Sequence, residues 1–372
     1  IEAACGIPCT NILVAATHTH HAPSTVVVHG YGRDEAFCSD LQQAIVAAAC
    51  QASERARASQ GAEVHFALGR EDTVGQNSRL LLGDGTIYWV GPRDDAVLPT
   101  GPFDPDVPVL SFHGHDGRLQ ALVFGHATHN IGALADKRSP AIYGLAAQGL
   151  ETELGAQTLF LLGAAGSTHN LGPLLLLRGD DNDAEEPGAI GTDEAVRRIQ
   201  RAVKEALGRA QPLTAAPLLA AKKEIAYTIR HFDEAREDQA VSAYCRRRLD
   251  APEPVIEVFR RMRRELAPHQ GETRQTWLQA LRLGDVALLA VPGELFTALG
   301  LEIKRRSPFA HTIVVELAND YIGYIPDREA FALGGYQVWT GLHSLVAEGT
   351  GETIVDEAVR LLDSLSQGGC YG

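Results

Sequence analysis

No apolar run in this 372-residue chain approaches the ~18–20 residues that a membrane-spanning helix needs, so no membrane span is expected. Positive charge is scarce: 33 Lys and Arg face 47 Asp and Glu, for a net charge of −14. That balance argues against nonspecific nucleic-acid binding, which needs a cationic surface, and leaves small-molecule and lipid-like substrates open. Cysteine is sparse and scattered, at Cys5, Cys9, Cys38, Cys50, Cys245 and Cys370. A disulfide scaffold is not expected, and Cys5 and Cys9, with no second Cys/His pair at zinc-finger spacing, read as ordinary thiols. The sequence shows no internal repeat, no low-complexity tract and no signal peptide, and it leaves compartment and oligomeric state open.

What is present is an alternation of short apolar runs with helical patterns. Strands are expected at Ile12–Ala16, Glu63–Leu68, Val107–Phe112, Gln120–Phe124, Thr158–Leu162, Glu224–Ile229, Trp277–Leu283, Val286–Val291 and Thr312–Leu317. Helices are expected at Asp34–Ser59, Ala141–Leu154, Asp193–Leu207, Phe232–Leu249, Glu253–Leu266, Leu295–Arg305 and Thr353–Leu365, with Asp34 and Asp193 as caps. The pattern predicts an α/β fold, mixed β-sheets covered by helices, in a single catalytic domain over residues 1–372. Gly83–Asp106 reads as a long loop or hairpin. Gly179–Pro187 is an acidic loop without the glycine and glutamate of an EF-hand. The arginines of Cys245–Arg264 read as a solvated face rather than an anion site.

Candidate chemistry gathers where strands end, the place where open α/β sheets bind ligands. In THTHHAP, His18 and His20 are two apart and can share one face of an extended chain. LVFGHATHN places His126 and His129 after another apolar run, VPGE delivers Glu294 after a third, and ELANDYIGY delivers Asp320, Tyr321 and Tyr324 after a fourth. Histidine, glutamate and tyrosine are ligand types suited to zinc or another divalent metal. Ser167 follows a strand, but AGSTH lacks the flanking glycines of a nucleophile elbow. Asn77 and Arg79 lie in a loop where they can orient substrate. Gly334 and Gly335 can make a tight turn that aims Tyr336. His113 and His115 read as exposed turn residues.

NILVAATHTHHAP, LVFGHATHN, FLLGAAGSTHN, QALRLGDVALLAVPGELF and ELANDYIGYIPDREAFALGGYQ, in this order, resemble the neutral/alkaline (non-lysosomal) ceramidases, in particular their short, single-domain bacterial members. The resemblance runs from about Thr10 to Leu365. It implies a ceramidase-type catalytic domain without a C-terminal Ig-like domain, and one zinc per chain. Carried over position by position, it implies His18, His126, Glu294 and Tyr324 as metal ligands. His20 and Tyr336, twelve positions beyond Tyr324, become the catalytic groups. Beside these, Ser167, His129 and Arg79 are candidate substrate-binding residues on their own placement, and the helical segment over about residues 232–266 reads as an insertion. The implied reaction is zinc-dependent hydrolysis of an amide (N-acyl) bond by metal-activated water.

The chain departs from that family in three places. It begins almost at the first histidine motif, so that the family's earlier strands are not in it. Ser167 stands where the family has aspartate, with His169 nearby, and SPAIYG replaces a Ser-x-Asp-like motif. These changes alter the polar surroundings and spare the implied ligands. Two other functions therefore accompany the hydrolase: a metal-dependent lyase or isomerase on a sugar-like substrate, and a non-catalytic zinc-containing binding protein.

Overall fold

The structure is a computed structural model that describes residues 1–59, 61–132, 137–170 and 191–368. The acidic loop Gly179–Pro187 lies outside the described residues. Two mixed sheets dominate. The first runs Gln157–Leu162, Leu119–His126, Asp106–His113, Glu63–Arg70, Gln211–Pro212, with its first two strands parallel. The second runs Leu218–Thr228, Thr273–Leu283, Val286–Ala290, His311–Val315, and its last pair is parallel.

Period-two burial explains how the sheets stack. Val107, Val109, Leu122 and Phe124 of the first sheet pack on Ile142, Tyr143, Ala146 and Leu150 of helix Ala141–Leu154, and on Ile199 and Val203 of helix Thr192–Leu207. Leu110, of opposite parity, joins Val286, Leu288, Ile313 and Val315 of the second sheet in a core between the sheets. Leu289 and Val314 face the other way, toward helices Thr297–Arg306 and Thr350–Ser366. The result is helix, sheet, sheet, helix: an α/β fold with helix-covered mixed sheets.

Most expected elements are present, several longer than expected. Three expectations fail. Ile12–Ala16 forms only a bridge, Ala15 with Ala318, because Leu317 and Asn319 opposite it have φ of 52° and 66° and cannot extend a ladder. Asp193 lies in the first turn of its helix, and Gly191 is the cap; Asp34 does cap, accepting from Phe37 N. Cys5 is not a free thiol but pairs with Cys50, Cα atoms 5.4 Å apart, in a contact that ties the chain start to helix Glu35–Ala58.

The long segment after Gly83 is a hairpin, with Leu80–Leu82 paired to Ala96–Pro99. Helices Glu234–Arg248 and Pro252–Leu266 form a pair whose arginines meet carboxylates. Arg248 bonds Asp84 and Asp95, Arg260 bonds Asp238, and Arg263 bonds Glu234 and Asp238. These guanidiniums therefore offer no open anion site.

Candidate metal centre

Four segments converge beyond the C-terminal ends of the parallel strands. His18 follows the Ala15–Ala318 bridge and takes φ 61°, a left-handed conformation uncommon for a side-chain-bearing residue. His129 lies three residues past the strand ending at His126. Glu294 is the direct register partner of Tyr324 in a short parallel pair. Gly166 lets the neighbouring turn press on this pair: a Cβ there would lie 2.3 Å from Glu294 O.

His18 Nε2 lies 3.2 Å from His20 Nε2 and 3.6 Å from Glu294 Oε2. His129 Nε2 lies 3.4 Å from Glu294 Oε2 and 3.4 Å from Tyr324 Oη. A tetrahedral zinc with bonds of 2.0–2.1 Å has ligand atoms about 3.4 Å apart, so these separations are those of edges of such a polyhedron. The nitrogens of His18, His20 and His129 all lie within 4.8 Å of one another. His129 Nδ1 donates to Ala165 O at 2.9 Å, which leaves Nε2 facing the cluster. Ala165 N in turn donates to the buried Glu316 at 3.0 Å, fixing that peptide.

Protonation favours metal over proton. Burial lowers the His18 imidazole to about 4, against the pull of Glu294 and with the help of His129. His20 sits at the solvent edge, yet the protein packed around it, then His18, His129 and His169, hold it well below its ordinary value. Burial would raise the Glu294 carboxyl, but the imidazoles and the Tyr324 hydroxyl outweigh it and keep it ionised. Tyr321 donates to Glu294 Oε1 at 3.1 Å. Oε2 is buried without a hydrogen-bond partner. A buried carboxylate oxygen with no hydrogen-bond partner, 3.4 and 3.6 Å from two ring nitrogens, is costly unless a cation joins it, so the donor set fits a divalent metal.

The structure brings together His18, His20, His129, Glu294, Tyr324 and Tyr336, whose ring lies 5.8 Å from that of Tyr324. His126 is not among them. Its Nδ1 meets Tyr143 Oη at 2.6 Å and its Nε2 meets Glu71 O at 2.9 Å, so both nitrogens are engaged elsewhere. His129, expected to touch substrate, holds the position expected of His126. Arg79, expected to orient substrate, is only 2% exposed, and its guanidinium bonds Gly334 O, Gln337 Oε1 and Ala330 O, so that it grips the Tyr336 loop. Ser167 is likewise buried, receiving a hydrogen bond from Thr297 N and donating one to Thr297 Oγ1.

Sequence reasoning missed the surroundings of Tyr336. His29 Nε2 lies 2.7 Å from its hydroxyl, His343 Nε2 meets its carbonyl at 3.1 Å, and Trp89 stacks parallel on its ring at 4.7 Å. His169 also belongs to the cluster, stacked on His129 at 4.4 Å between ring centres.

No family model matches this sequence, and no curated protein matches it. Among solved structures, it is similar to neutral ceramidase from Pseudomonas aeruginosa, with TM-score 0.68 and 20% identity over 97% of this chain and 62% of that one. It is similar also to a ceramidase complexed with C2, with TM-score 0.69 and 20% identity over 97% of this chain and 63% of that one. The chain thus spans under two thirds of the length of the ceramidases it matches. Its fold is ceramidase-like.

Proposed function

We propose that this chain is a metal-dependent hydrolase that cleaves an amide (N-acyl) bond in a small or lipid-like substrate. The observation that carries this is the buried Glu294 Oε2, without a hydrogen-bond partner and at tetrahedral-edge distances from the His18 and His129 ring nitrogens, in a ceramidase-like fold. His18, His129 and Glu294, with Tyr324, would hold one divalent metal, zinc by donor type. Such a metal supplies Lewis acidity toward a carbonyl and toward water.

The chain's own groups do the rest. Glu294 and His18, both held below their ordinary values, bring ligands already free of protons. His20, at the solvent edge of the cluster, faces incoming substrate and can accept or return a proton at Nε2. Tyr336 is pushed up by burial and by Glu294, so its phenol stays protonated and can donate to a developing oxyanion or to the departing nitrogen. We take residues 1–372 as one catalytic domain, with the helix pair over 232–266 as an insertion.

The test is to supply zinc-loaded protein with N-acyl amides from acetyl to palmitoyl in ¹⁸O-labelled water. Equal amounts of amine and singly labelled acid are expected. An unsaturated product without label would replace hydrolysis by elimination, and no product with any amide would remove the reading.

A further inference from the structure

Tyr336 is fixed at both ends. Gly334 and Gly335, with φ of 73° and 95°, turn the chain into it, and His343 and Trp89 hold its carbonyl and ring. Its ring stands edge-on to that of Tyr324, 5.8 Å between centres, and its hydroxyl meets His29 Nε2 on the other side at 2.7 Å.

His29 is itself built in. It takes φ 52°, which costs of order 1 kcal/mol or more for a side-chain-bearing residue. Its turn is closed by Tyr31 N donating to Val28 O at 2.8 Å, and His29 N donates to Met262 Sδ at 3.3 Å. The next residue, Gly30, leaves no space: a Cβ would lie 1.7 Å from Arg261 Nη2. The turn is thus pressed against helix Pro252–Leu266, and the strained backbone presents the imidazole to Tyr336.

A neutral phenol has one proton. If it were donated to His29, nothing would remain to donate toward the metal centre. We propose that His29 is a positioning residue for Tyr336: its Nε2–H donates to the phenol oxygen and turns the phenolic proton toward the metal centre and the bound substrate. The hydrogen bond His29 gives also polarises that O–H and makes it a better donor. This inference rests on the proposed hydrolysis for its consequence and on the His29–Tyr336 contact for its geometry.

Two measurements test it. In the full chain with ¹⁵N-labelled histidine, NMR should show His29 protonated at Nε2 and bare at Nδ1, with that proton exchanging faster in Tyr336→Phe. A bare Nε2 would overturn the proposal. With the N-acyl amide that the unaltered protein cleaves fastest, His29→Leu should lower kcat about 10- to 100-fold with KM and metal content unchanged. His29→Gln, whose amide N–H can reach the same oxygen, should recover to within a few-fold. His29→Leu should cost nothing further in the Tyr336→Phe background. Gln as poor as Leu, or a full additive loss, would overturn it. If the unaltered protein cleaves none of the amides, the proposed function fails, and the NMR tautomer alone decides the role of His29.

Discussion

Acid should weaken the metal-free fold through His18. Its imidazole is 17% exposed and is lowered from 6.5 to about 4. A proton bound about 300-fold less tightly in the folded than in the unfolded chain corresponds to about 3 kcal/mol. The folded value lies below the unfolded one, so between these values the unfolded chain binds more protons and stability falls as pH falls. The loss begins near pH 6.5 and is complete near pH 4. His20 and His169, lowered too, push in the same direction. Urea unfolding of chelated protein at pH 7, 5.5 and 4 reads this as a falling midpoint. His18→Asn, which tolerates the left-handed backbone, should remove His18's share of the decline. A midpoint that stays level or rises on acidification, or an unchanged decline in His18→Asn, would refute the reasoning.

Other outcomes follow from the same geometry. Tyr336→Phe should keep the metal and lower kcat about 100-fold, checked by metal content beside amine release. His20→Ala should likewise keep the metal and lose turnover; loss of metal would instead make His20 a ligand. Arg79→Met leaves Gly334 O and Gln337 Oε1 short of a buried donor, at about 1–3 kcal/mol each, and should lower both the urea midpoint and kcat.

Long periodic elements were legible in the sequence because burial on one face dictates their pattern. The gathering of His18, His20, Glu294 and Tyr324 was legible too, since polar residues follow four apolar runs. That His129 rather than His126 joins His18 and Glu294 was not read from the sequence, although parity within the strand shows where His126 points. Leu122, Phe124 and His126 share one face, and the first two pack under helix Ala141–Leu154, so His126 must point at that helix, where it meets Tyr143. His129, beyond the strand, is free to turn to His18 and Glu294. Arg79 misled because a loop arginine normally faces solvent, and only tertiary packing shows that three acceptors bury it. His29 carries no local signal, for its partner is 307 residues away. The Cys5–Cys50 pairing joins residues 45 apart and is equally silent in the sequence.

The most direct test is elemental analysis of the purified, unchelated chain beside His129→Ala and His126→Gln. The account predicts about one divalent metal per chain in the unaltered protein, none in His129→Ala, and the full amount in His126→Gln. Equal metal in His129→Ala and the unaltered chain, or no metal in any of them after zinc is added, would contradict it.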